Sequence, residues 1–241
     1  TRGKVRSRLT IDVIRILVDN TDLAGKAFYL TLWMGFLDLE RFCLLNFQGA
    51  ETLTRHLKDH GVDTPFMFEF DGRKKYRGEA SYYTYIGHDA LKAWIEYFDH
   101  ARGWPKPGEP LIPCSRDNHN FKETIRQRHL RLLEKLKYIR RGGNCANRYG
   151  YHLHEFRDVG RTLMHLKGLE DGLDLQCVEF WMGHVTDPNE YDKFYTDKEY
   201  MLRNYRIAEK HLNILTGSTL VTRVPTRDEI KKMILKDSDI Y

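Results

Sequence analysis

Two stretches, Tyr151-His152-Leu153-His154-Glu155-Phe156-Arg157-Asp158 and Glu179-Phe180-Trp181-Met182-Gly183-His184, decide how this chain reads. Both place imidazole or guanidinium groups at fixed offsets within apolar, helix-spaced surroundings. His154 and Arg157 stand three residues apart, so on a helix they share a face. A tyrosine-rich stretch, Tyr191-Asp192-Lys193-Phe194-Tyr195-Thr196-Asp197, follows the second. Working outward, the apolar spacing predicts helices over 151–166, 175–182 and 198–215.

Upstream, Thr10 reads as an N-cap before Ile11, Val13, Ile14, Leu17 and Val18. The apolar run from Ala24 to Leu45 is too long for a strand and reads as one or two buried helices around Gly35. The mixed segment 46–61 carries no clear period. Phe66-Met67-Phe68-Glu69-Phe70 reads as a strand and Asp71-Gly72 as a turn. Ser81-Tyr82-Tyr83-Thr84-Tyr85-Ile86 then reads as a second strand, closing a hairpin with a basic tip. A helix over 89–100 presents Leu91, Trp94, Ile95 and Phe98 on one face. A Pro/Gly-rich loop over 103–113 leads into a long basic amphipathic helix over 121–141, ended by Gly142-Gly143. From Thr216 the chain reads as a tail with a last helix near 228–236. The fold class is mainly α with a small antiparallel β-sheet (α+β), and no internal repeat is visible.

A length of 241 residues fits one large domain or two small ones, with enough chain for a sizeable core. Apolar residues make up 41% and charged residues 30%, a globular balance. No apolar run is long enough for a transmembrane helix. The basic start, Arg2 to Arg8, has no apolar segment behind it in signal-peptide fashion. The start at Thr1 reads as a piece cut from a longer protein. Cys43, Cys114, Cys145 and Cys177 lie far apart, which argues against a disulfide scaffold or a zinc cluster and for reduced thiols in the cytoplasm. His152 and His154 lack a third suitably spaced ligand, so no metal is expected, and no cofactor either. A net charge of +5 permits nucleic-acid binding without demanding it.

The ordered set formed by a basic hairpin, H-x-x-R, G-H and then a tyrosine resembles the catalytic domain of the tyrosine recombinase (phage integrase) family, most of all its archaeal integrases. The resemblance runs from about residue 7 to residue 215. It implies a catalytic domain over 1–215, with a tail over 216–241 that docks on a neighbour in trans. It also implies a double-stranded DNA attachment site as partner, a homo-oligomer (dimer or tetramer) on that DNA, and no membrane. By the same resemblance Arg157 clamps the scissile phosphate, His154 is the general base and His184 contacts the phosphate. Lys74 or Lys75 is the general acid. Tyr195 is the favoured nucleophile, Tyr191 the next, Tyr205 a distant third.

These residue types suit that chemistry. A phenol attacking a phosphodiester must lose a proton that free tyrosine holds up to about pH 10, which calls for a base. Charge gathering on the non-bridging oxygens suits the planar fork of arginine. A covalent phosphotyrosine keeps the bond energy, so no nucleotide is needed. One departure stands out. The family's first arginine falls on Leu37, in Gly35-Phe36-Leu37-Asp38-Leu39-Glu40. Leucine donates no hydrogen bond; Arg41, one turn later, is the candidate substitute. The alternative is a DNA-binding module that keeps the recombinase fold without cutting.

Overall fold

The helix that follows Asp22 is buried almost all round, and the other elements pack about it. The computed structural model describes residues 8–70, 81–114, 118–140, 150–184 and 194–216. In it, α1 spans Ile11–Asp19 and α2 spans Leu23–Met34, with side-chain caps from Thr10 and Asp22. Ten of the twelve residues of α2 are buried, so its polar groups need internal partners. Thr31 Oγ1 donates to Ala27 O and accepts from Trp94 Nε1. Trp33 Nε1 donates to Leu212 O at 2.8 Å, and Tyr205 Oη donates to Met34 O at 3.1 Å. The predicted break at Gly35 is real. Phe36 takes a left-handed φ of 51°, and the Leu37 N–H returns to Leu32 O at 3.1 Å. That closes α2 and frees the chain to start α3, Leu39–Gln48, under the Asp38 cap.

The segment without a clear period forms the end of α3 and then α4, Ala50–His60. The two strands pair antiparallel as expected: β1, Phe66–Phe70, runs against β2, Tyr82–Ile86, with Phe66 opposite Ile86 and Phe70 opposite Tyr82. Every residue of β2 is buried. The hairpin tip, with Lys74 and Lys75, lies outside the described residues. Helix α5, His88–Tyr97, continues as a π-helical turn over Phe98–Arg102. Its start is fixed from afar: Glu209 Oε1 accepts from His88 N at 2.7 Å, and Asp89 accepts from Leu215 N and Thr216 Oγ1.

The basic helix α6 spans Asn118–Lys135, shorter than expected. Its end is a reversal in which Lys137, at φ 62°, takes the left-handed place usually given to glycine. Tyr138 N returns to Leu133 O and Lys137 N to Glu134 O, so the chain leaves the axis before Gly142-Gly143, which lie outside the described residues. Helix α7 spans Glu155–Leu163, starting four residues later than the spacing suggested, and runs into a π-helical turn over Met164–Gly168. Helix α8 spans Leu175–Trp181 and α9 spans Lys198–Leu212. The fold is mainly helical with one small two-stranded antiparallel sheet. No helix among the described residues is long and apolar enough to cross a membrane. Cys43 and Cys177 are buried free thiols, and burial pushes both up to about 12.

His129 sits inside this frame. It is buried, with Nε2 2.8 Å from Tyr151 O and Nδ1 2.9 Å from Tyr29 Oη. A carbonyl only accepts, so Nε2 carries the proton and Nδ1 accepts from the tyrosine. Burial pushes the imidazole down to about 4. The unfolded chain therefore takes up a proton near pH 6.5 that the fold refuses until about pH 4. Stability is intact above that window and falls as the pH drops through it. From pH 7 to 5 this one group should cost about 2 kcal/mol. Urea unfolding at both pH values should show that loss in the wild type, and a clearly smaller one in His129→Gln.

Candidate functional site

Arg157 is the most deeply buried lysine or arginine among the described residues, 2% exposed. It lies in the first turns of α7, and its guanidinium reaches two other elements. Nη1 donates to Asp38 Oδ2 at 3.1 Å and Nη2 to Met182 O at 2.6 Å. Asp38 is the N-cap of α3, and its other oxygen accepts from Arg41 N at 2.9 Å. One carboxylate thus caps a helix with one oxygen and neutralises a buried cation with the other. Met182 is the last residue before Gly183-His184 and offers its carbonyl because α8 has ended there.

The way α8 ends explains the Gly-His pair. Gly183 has φ 67°, its N–H returns to Phe180 O at 2.7 Å, and His184 N returns to Glu179 O at 2.9 Å. This is a left-handed helix closure that folds the second residue past the end back onto the last turn. A β-carbon on Gly183 would sit 2.8 Å from the Tyr82 ring, so backbone angle and space both ask for glycine. The same closure lays the His184 side chain against Glu179: Nδ1 is 2.6 Å from Oε2. A carboxylate only accepts, so the Nδ1 proton points at Glu179 and Nε2 faces away. Glu179 also accepts from Arg161 Nε. Glu179 is held below the usual carboxylate range: burial works against this, but the hydrogen bonds from His184 and Arg161 outweigh it. Sequence reasoning missed Glu179, Arg161 and Asp38 as partners. An aspartate directly before an apolar helical run was the available signal for Asp38.

Tyr82 links this region to the hairpin. Its ring stacks on Phe70 at 5.1 Å, and the Arg41 guanidinium lies over both rings, 5.4 Å from Tyr82 and 5.5 Å from Phe70. Arg41 therefore stands at the Phe70 and Tyr82 ends of the strand pair, the ends that residues 71–80 join in sequence. Leu37 is 2% exposed and part of the core.

His154 is the exposed residue that precedes α7. It opens into a groove of about 540 Å³ that it shares with Asp38, Arg126, Gln127 and His152. Tyr195 is half-buried. Its ring stacks on Phe180 at 5.2 Å and 10°, and its carbonyl accepts from Tyr83 Oη at 2.6 Å. Successive strand residues face opposite ways, so Tyr195 is held on the face of β2 opposite Tyr82. Phe180 and Glu179 are neighbours on α8, and they hold Tyr195 and His184 respectively. Tyr205 is fully buried and donates to Met34 O, a structural position. Tyr191 lies outside the described residues. Several cations of α6 are tied to carboxylates: Lys122 to Glu40, Arg126 to Glu123 and Arg128 to Asp22. Among the described residues no cluster of three His, Cys, Asp or Glu side chains is placed to hold a metal ion.

Arg157 thus links Asp38 to the Met182-Gly183-His184 turn, Arg41 and Gly183 both lie against Tyr82, His154 lines the groove on the Asp38 side, and Tyr195 is held by Phe180 and Tyr83 on the opposite face of β2. Such an arrangement can bind an anion with a fixed guanidinium and move a proton through an oriented imidazole. The chain matches no family model, no curated protein and no solved structure.

Gly183→Ala should cost about 1–3 kcal/mol for the left-handed backbone alone, with the collision against Tyr82 added. Combining it with Tyr82→Ala should recover the collision and leave the backbone cost. A double-mutant cycle by chemical denaturation separates the two.

Proposed function

We propose that this chain is a DNA strand transferase of the tyrosine-recombinase type, acting on a double-stranded attachment site as a homo-oligomer. The observation that supports this reading best is the meeting of Arg157 with the Met182-Gly183-His184 turn and the N-terminus of α3. Residues 119 and 25 positions apart in sequence share one guanidinium, next to a histidine whose outward nitrogen is set by Glu179.

The reaction is a phosphodiester exchange. The Tyr195 oxygen attacks phosphorus, its proton passing to His154. Arg157 and His184 hold the non-bridging oxygens as charge builds on them. The bond from phosphorus to the 5′ oxygen breaks, and Lys74 or Lys75 returns a proton to that oxygen. A 3′-phosphotyrosine and a free 5′-hydroxyl result, and the hydroxyl of a partner strand reverses the step. The lysine's part is supported by the strand ends that 71–80 joins: Phe70 and Tyr82 lie under Arg41, and Tyr82 lies against Gly183.

The second reading, a DNA-binding module without cleavage, is favoured by one observation: Leu37, where the resemblance puts the first arginine, is in the core.

A duplex nicked beside the crossover traps the covalent intermediate by losing its 5′ fragment. The wild type should give a protein–DNA band on denaturing gels, and Tyr195→Phe should abolish it. Loss in Tyr191→Phe alone would move the nucleophile to Tyr191. Salt-sensitive binding with no covalent band from any variant would leave the binding module, and absence of binding would end both readings.

A further inference from the structure

We propose that the Asp38 carboxylate is the resident occupant of the phosphate place at Arg157, and that a backbone phosphodiester binds there by exchange with it. The inference rests on the reading above and concerns how that site is controlled.

Two partners of the guanidinium lie among the described residues, and they differ in kind. Met182 O is a backbone group at the end of α8, in the buried interior, and it takes Nη2 at 2.6 Å. Asp38 is a side chain, 27% exposed where Arg157 is 2%, and takes Nη1 at 3.1 Å. It lines the solvent groove that also holds His154. The carbonyl is therefore the fixed anchor, and the carboxylate is the partner on the side from which a ligand arrives. An oxygen that meets a guanidinium at this distance from the solvent side occupies the place of a non-bridging phosphate oxygen.

Exchange is chemically balanced. A carboxylate and a phosphodiester each carry one negative charge, so replacing one by the other leaves the buried cation neutralised, whereas opening the pair to water would strand it. Asp38 has somewhere to go. Its second oxygen already accepts from Arg41 N at the start of α3, where a carboxylate is favoured by the helix N-terminus. The exchange asks that Oδ2 leave Nη1 while Oδ1 keeps that bond. The two anions cannot share it, because like charges at contact distance repel. Affinity for DNA is then a difference between two anions, and the protein sets it low until the rest of the site pulls the backbone in.

The charges around this exchange are Glu40 and Arg41 on α3, Lys122, Glu123 and Arg126 of α6, His152, His154 and Glu155 at the start of α7, and Glu179 with His184 at the end of α8. Glu40 is the matched control. It borders the same groove, pairs with Lys122 and is 72% exposed at its side chain.

The experiment is a fluorescence-anisotropy titration of a short blunt-ended duplex against wild type, Asp38→Asn, Glu40→Gln and Asp38→Asn/Arg157→Gln, each checked for folding by circular dichroism. Asparagine still caps a helix and still offers an oxygen to Arg157, but without the charge. Asp38→Asn should bind roughly tenfold tighter, the gain expected from one charge-assisted contact. Its salt slope should rise by about 0.9, one further phosphate. Glu40→Gln should gain about twofold or less. In the double variant the gain should vanish. Equal gains in Asp38→Asn and Glu40→Gln, or a gain that survives loss of Arg157, would overturn the inference while leaving the DNA reading standing. No salt-dependent binding by wild type or Asp38→Asn would overturn both. If inorganic phosphate competes with the duplex no better in Asp38→Asn than chloride at matched ionic strength, the ligand is the backbone as proposed; if it displaces the duplex stoichiometrically, the ligand is free phosphate and the assignment falls.

Discussion

A guanidinium with 2% exposure cannot stand alone in a protein interior, and the arrangement of this molecule follows from satisfying it. Arg157 reaches Asp38 across 119 residues of sequence and Met182 across 25. Through those contacts α7 is pinned to the start of α3 and the end of α8. Removing either partner strands the charge, a loss far larger than a surface ion pair contributes. The surrounding ion pairs differ in kind. Arg15–Asp12, Arg126–Glu123 and Lys167–Glu170 link residues three apart on exposed helix surfaces, and such pairs are worth a few tenths of a kcal/mol at most.

The buried charge also constrains how helices end. Met182 can give its carbonyl to Arg157 because α8 stops one residue earlier, and α8 stops because Gly183 turns left-handed against Tyr82. Asp38 can cap α3 and meet Arg157 because α2 ends at Met34 and Phe36 turns the chain with a left-handed φ, its ring packed on Trp181 at 6.1 Å. Two left-handed closures therefore deliver the acceptors, and the β2 strand, buried along its whole length, supplies the wall they close against.

Much of the fold was legible because burial writes periodicity into sequence. Helices α1 and α5 and both strands carry clean apolar spacing, and the residues announced them. Helix α4 did not announce itself: its buried face is only Ala50, Leu53, Thr54 and Leu57, and it starts at Gly49 without a side-chain cap. The end of α6 was misplaced because a lysine, not a glycine, takes the left-handed position. The start of α7 was misplaced because Tyr151 to His154 have helical composition but form a turn. At the site, residue types were legible and partners were not. Arg157 and His184 could be singled out by kind and spacing. That Asp38 holds the one depends on tertiary packing. That Glu179 holds the other depends on a reversal that turns an i, i+5 separation, ordinarily on different faces of a helix, into contact.

The leucine at position 37 and the closed pair at Arg157 are best understood together. A pocket with two guanidiniums and one carboxylate keeps a net positive charge after internal pairing, and low dielectric makes that excess attractive to any anion. With a leucine at position 37, Arg157 is the guanidinium paired to Asp38 and that pair neutralises itself, while the Arg41 guanidinium lies over the Tyr82 and Phe70 rings. Leu37 packs in the core beside Gly35, 3.0 Å from where that glycine's β-carbon would stand, so position 37 serves packing. On the proposed reading, what Arg157 does for a phosphate is set by how its attraction to that phosphate compares with its attraction to Asp38, and only secondarily by the chain's net charge of +5.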